Sequence, residues 1–266
     1  MQLWLLNSFS TPALVLLVVG VPTLLTVAAA LLLHRRYPAL STGKYNNVVE
    51  VLLGMFGAIY GIILAFVIVT LWTQLETTQS VVATEATDLA QMVRDVRSFP
   101  AEQRDGITKD IDAYVHGVVN VQWPLMREGR ADYTATAAKL DRIYTDLQAY
   151  EPRTSTQRAF YEQTLDRLND VVAQRRARLE QSSEQLPLLI RALVFGGALV
   201  VLAVICLFGN RRKSVQILFV ASVSVLIGFS LLLVLVLDRP FSGDLSVGPE
   251  PYKAGALAVY WGAAGG

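Results

Sequence analysis

Few residues in this chain of 266 carry side chains that could do chemistry, and their spacing limits what they can do. His34 and His116 stand far apart and isolated, so neither is expected to be catalytic or to bind a metal. Cys206 is the single cysteine, which excludes an intramolecular disulfide and a cysteine-based metal cluster. No H-E-x-x-H, G-x-S-x-G, phosphate-binding loop or dinucleotide fingerprint is present. Hydrolysis or redox chemistry needs a nucleophile, a base and an orienting group within reach of one another. The chain therefore reads as a non-enzyme without cofactor or metal. A formal net charge of +1 gathers no polyanion, so nucleic acid is not an expected partner.

What remains is chemistry on ions. Glu85 lies one position from an apolar stripe. In an oligomer its carboxylate could join a ring that tunes ion access; the plainer reading is a solvated residue or a salt bridge. Arg94 and Arg97, three apart and so on one helix face, could line an electropositive vestibule, or simply a solvated face. Arg191 and Gln216 stand at the starts of apolar runs, where long polar side chains reach the membrane interface.

These residues must be positioned by membrane helices. Hydrophobic residues make up 53% of the chain and charged residues 17%, too apolar for an ordinary soluble domain. The apolar residues form four blocks, Pro12–Leu33, Val51–Trp72, Leu188–Phe208 and Val215–Leu237. Each has the roughly 20 residues that a helix needs to cross the hydrocarbon core. No basic residue precedes the first block, and Arg35 and Arg36 follow it, so it reads as a retained anchor rather than a signal peptide.

The turns between blocks one and two (Arg35, Arg36, Lys44) and three and four (Arg211, Arg212, Lys213) are both basic. Positive flanks stay in the cytoplasm. This predicts a multi-pass protein of the cell membrane with cytoplasmic turns, and with both termini and residues 74–186 outside.

Between the second and third blocks, apolar residues recur at helical spacing. The sets are Val82 to Val96, Ile107 to Val121, Tyr133 to Leu147 and Tyr161 to Leu179, with Arg175 at one seam position. Pro100, Trp123-Pro124 with Gly129, and Glu151-Pro152 separate them. The expected fold is all-α: four transmembrane helices, with an extramembrane helical bundle between the second and third. The divisions are residues 1–73, 74–186, 187–237 and a tail at 238–266. No breaker separates Trp72 from Phe99, so the second crossing should run on into the first bundle helix. Leu186-Pro187 should end or kink the last one.

The second crossing has two unlike sides and no charge from Val51 to Leu75. Gly54, Gly57, Gly61 and Ala65 form a small stripe suited to close helix packing. Phe56, Tyr60, Ile63, Val67 and Thr70 follow 4-3-4-3 spacing on a side roughly 150° away. That bulky stripe could face lipid, or converge on an axis as a hydrophobic constriction.

Several segments together resemble the bestrophin-like membrane proteins, a family similar in layout to the bestrophin anion channels. They are "GMFGAIYGIILAFVIVTLW" with Glu85-Ala86, "QWPLMREG" at 122–129, "RRARLEQSSEQLP" at 175–187 and "LDRPFSG" at 237–243. The resemblance implies four transmembrane helices and a homo-oligomer, first a pentamer, around a central pore. It also implies passive conduction of inorganic anions such as chloride, with the second helix lining the neck, and a helical bulk in the cytosol; on the spacing above, Phe56, Tyr60, Ile63, Val67 and Thr70 are then the candidate lining residues. The alternative is a membrane-anchored sensor or scaffold whose bundle binds a ligand or partner protein.

Overall fold

A computed structural model describes residues 7–43 and 45–262; Lys44, counted above with the basic turns, lies outside the described residues. The fold is all-α, with no strand among the described residues. Four helices are long and apolar enough to cross a membrane: Thr11–Arg36, Asn46–Ser98, Leu188–Ile205 and Lys213–Leu237. Contacts divide the chain into two compact units, Met1–Thr73 with Gln185–Asp238, and Gln74–Glu184 with Arg239–Gly266.

In the first unit, α1 (Thr11–Arg36) opens on Pro12 and widens into a π turn at Leu16–Gly20, just before Pro22. Proline offers no backbone donor, and the wider turn accommodates the missing bond. Val19 of that turn packs with Leu14 and with Leu232 of α9 (Lys213–Leu237). Farther along, Ala30, Ile205, Cys206 and Val220 form a second cluster. The Cys206 thiol donates to the Leu202 carbonyl at 3.1 Å and faces Thr26, so this cysteine is helix-facing. α8 (Leu188–Ile205) ends three residues short of the expected Phe208.

The two basic turns are tied together. The Asn46 side chain donates to the Gly209 carbonyl at 2.8 Å and accepts from its N–H at 3.0 Å. Any Cβ at position 209 would lie 1.8 Å from the carbonyl oxygen of Leu40, in the short helix α2 (Pro38–Ser41). Only glycine permits that approach. At the opposite end of α8, the Asp238 carboxylate accepts from the Leu186 N–H at 2.7 Å and pairs with Arg191 at 3.2 Å. Arg191, expected from its sequence position to reach the interface, thus has an ion-pair partner.

The helix α3 (Asn46–Asp95) runs without interruption, as the lack of a breaker predicts. Within the second unit it is followed by α4 (Ala101–Gly117), α5 (Trp123–Arg127), α6 (Ala137–Ala149) and α7 (Ser155–Ser183). Their core holds Leu89, Met92, Ile107, Ile111, Ile143 and Leu168, all fully buried.

Two expected stripes shift. A π turn at Val118–Gln122 adds a residue to the coil, so Gln122 is buried and Val121 is 47% exposed. Tyr133 lies before α6 rather than on it. There Gly129 adopts φ 71°, and Asp132 accepts from the Thr134 and Ala135 backbone, shaping a loop. The break before α8 is complete: α7 stops at Ser183, and Pro187 caps the next helix in an extended conformation.

Candidate pore helix and buried ion pair

The charge-free stretch of α3 has three distinct edges within the first unit. Tyr60, Leu64, Val67 and Leu71 are buried, at 4-3-4 spacing. The Tyr60 hydroxyl donates to the Val194 carbonyl of α8 at 3.1 Å. Its ring lies so close to Gly197 that a Cβ there would come within 2.6 Å of ring carbon. Tyr60 and Val67 therefore turn into the subunit's own helices. Within the chain they are thus set apart from Phe56, Ile63 and Thr70, with which the sequence spacing groups them.

Phe56 and Thr70 are exposed and Ile63 is half-buried; the Thr70 hydroxyl bonds back to the Phe66 carbonyl at 2.9 Å. The most open bulky edge lies farther round, at Met55, Ile59, Ile62, Phe66 and Val69, with Phe66 72% exposed. On the third edge, a Cβ added to Gly54, Gly57 or Gly61 would meet nothing within 4 Å. Gly57, Gly61 and Ala65 flank an apolar groove of about 410 Å³ whose far wall includes Val223, Leu226 and Ser230.

The second unit contains a fully desolvated ion pair. Glu85 of α3 and Arg178 of α7 are both completely buried. The guanidinium grips the carboxylate at two points, Nε to Oε2 at 2.8 Å and Nη2 to Oε1 at 3.2 Å. The remaining capacity is also used. The Tyr114 hydroxyl donates to Glu85 Oε1 at 2.8 Å, and Arg178 Nη2 donates to Gln122 Oε1 at 2.9 Å. Arg178 Nη1 meets the Met126 sulfur at 3.3 Å.

The rings of Trp123 and Tyr252 lie 5.8 and 6.0 Å from the guanidinium carbon, within cation–π range. Burial pushes the Tyr114 hydroxyl well above its ordinary pKa, and the neighbouring Glu85 charge adds to the rise. Burial opposes the charge on Arg178, but the charge and hydrogen bond of Glu85 together with the nearby Tyr252 and Tyr114 push the guanidinium above its ordinary pKa.

Glu85 is thus in a salt bridge, the plainer of its two sequence readings, and its charge is not available at a surface. Arg175 donates to the Thr136 hydroxyl at 3.1 Å and to the Tyr133 carbonyl, pinning the loop before α6. Arg94 and Arg97 are exposed, and neither has a carboxylate within ion-pair distance among the described residues. Nearby Asp88 and Asp95 are both taken by Arg167, at 3.6 and 3.1 Å. His116 joins α4 to the C-terminal segment, with Nε2 3.1 Å from the Tyr260 carbonyl and its ring 4.2 Å from that of Trp261.

The short segments singled out in the sequence meet at this ion pair. Glu85 comes from one, Gln122, Trp123 and Met126 from the second, and Arg178 from the third. Phe241 of the fourth packs edge-on to Trp123 at 5.5 Å. A family model described as the Bestrophin-like domain matches residues 20–252. The chain belongs to the Bestrophin-like family.

Among solved structures, it is similar to a bacterial bestrophin homologue from Klebsiella pneumoniae carrying a leucine-to-threonine mutation. The TM-score is 0.59 at 14% identity, over 91% of this chain and 96% of that one. No curated protein matches the sequence. Family and fold together support an ion-channel kind of function in a membrane protein.

Sequence reasoning missed Arg178 and Tyr114 as partners of Glu85, and Gln122 and Tyr252 as neighbours of Arg178. For Gln122 and Arg178 the signal was that their short segments belong to the family's pattern, because a polar residue facing inward is invisible to apolar periodicity.

Proposed function

We propose that the protein is a homo-oligomeric channel, five copies being the first expectation, that passively conducts inorganic anions such as chloride through a pore lined by α3. The observation that carries this reading is the three-edged α3. It has no charge between Val51 and Leu75, one edge fixed to its own subunit, one edge of uncovered glycines and one exposed bulky edge.

In a ring of copies, Gly54, Gly57, Gly61 and Ala65 let a neighbouring helix approach closely. The bulky edge then narrows the axis into a neck that gates by dewetting. Phe56, Ile63 and Thr70 border that neck beside Ile59, Ile62 and Phe66, while Tyr60 and Val67 hold the helix from behind. Arg94 and Arg97, without carboxylate partners, raise the local anion concentration at the ion access.

The protein resides in the cell membrane with its basic turns in the cytoplasm and residues 74–186 outside. The bond between Asn46 and Gly209 supports placing both turns on one side. Reconstitution in planar bilayers under a potassium chloride gradient tests the reading. Currents reversing near the chloride equilibrium potential are expected; a protein electrically silent in every such reconstitution sinks it.

A further inference from the structure

A pocket of about 490 Å³ opens in the first unit where the end of α1 meets the start of α9. Its polar lining includes three cations, Arg35, Arg211 and Lys213, and none of them has a carboxylate partner among the described residues. Beneath them lie two polar side chains that a membrane helix would not ordinarily bury. His34 is 6% exposed and Gln216 3% exposed, and they bond to each other through Gln216 Nε2 and His34 Nδ1. The second ring nitrogen of His34, Nε2, is buried and has no hydrogen-bond partner among the described residues.

A buried polar atom without a partner is costly, and more so in hydrocarbon, unless something completes the site. The remaining walls include Leu31, Leu32 and Ile217, with Leu32 65% exposed. Cations above a polar floor, beside an open apolar wall at a helix end, match an amphiphile: an anionic head with attached hydrocarbon. A free phosphate would use the cations and leave the apolar wall uncovered. The start of α9 adds the positive end of a helix dipole on the same side.

We infer that this pocket binds the phosphate headgroup of an anionic phospholipid, with Arg35, Arg211 and Lys213 holding the phosphate and Leu31, Leu32 and Ile217 seating the first part of an acyl chain. The site is separate from conduction and stands whether or not the protein is a channel.

The test uses the full-length protein, delipidated in a neutral detergent and offered phosphatidylglycerol and phosphatidylcholine with identical chains, with retained lipid counted by native mass spectrometry. Phosphatidylglycerol should be retained at least tenfold over phosphatidylcholine. The Arg211→Gln/Lys213→Gln variant should lower that preference by about fivefold per charge removed. Arg36→Gln, one residue from the pocket lining, should leave it unchanged. Equal retention of the two lipids would overturn the assignment. So would an equal drop with Arg36→Gln, which means diffuse attraction to the interface, or displacement of the lipid by millimolar inorganic phosphate, which means a free-anion site.

Discussion

Arg178 meets Glu85 across 93 positions of sequence, with hydrogen bonds of 2.8 and 3.2 Å and no exposure on either side chain. Removing one partner leaves the other charge buried and alone, which costs about 3–5 kcal/mol. Replacing both with apolar residues of similar volume is close to neutral. Arg178→Met should therefore lower the melting temperature of the full-length protein in detergent strongly, and Glu85→Leu/Arg178→Met should recover most of the loss. Circular dichroism melts of these variants and of Glu85→Leu check this; a loss in the double variant equal to the sum of the two single losses would show that the pair is not coupled.

The edges of α3 make opposite forecasts. Ile62→Ala and Phe66→Ala shorten the exposed edge and should raise single-channel conductance without altering thermal stability. Val67→Ala removes buried volume against the subunit's own helices and should lower the melting temperature, with conductance little changed. Bilayer recordings alongside melts of the same preparations separate the two. Raised conductance in Val67→Ala and none in Phe66→Ala would mean that the pore lies on the other edge.

Where the sequence could be read and where it could not has a physical pattern. Apolar spacing located the four long apolar helices and α4, α6 and α7, because burial of apolar side chains is what makes those helices, while α5 forms where Trp123-Pro124 was expected to break the chain. It failed where polar residues face inward. Thr164, Arg175, Arg178 and Ser182 are buried on α7, so the buried face of that helix is offset from its apolar stripe. It failed again at Gln122, where a π turn changes the count. On α3, every side is apolar, and hydropathy cannot distinguish a face covered by its own subunit from one left open. Gly197 on another helix makes that distinction by leaving room for the Tyr60 ring. No local pattern in α3 carries that information.

Acid should affect the bundle through Asp110. Its carboxyl is raised above the ordinary value of 3.8, first by burial and then by the charge and hydrogen bond of Asp146. A carboxyl raised in the folded state costs stability where both groups are ionised, above the raised value, and the cost fades as pH falls toward 3.8. Asp146→Asn should therefore raise the melting temperature at about pH 7.5, with the advantage shrinking steadily toward about pH 4. An advantage independent of pH would assign the gain to something other than charge repulsion.

Sidedness can be read at two positions. Because the Asn46 side chain joins the two basic turns, a label in one of them reports on both. Glu128 is exposed after α5, and Arg212 is exposed in the second turn. The only native cysteine, Cys206, is buried and can be replaced by alanine as background. A membrane-impermeant thiol reagent applied to intact cells should label Glu128→Cys and spare Arg212→Cys until the membrane is opened. The proposed orientation rests on the arginines and lysine at 211–213, because positively charged short turns are biased to the cytoplasmic side. Labelling at 212 and not at 128 would reverse the orientation while leaving every helix where it is.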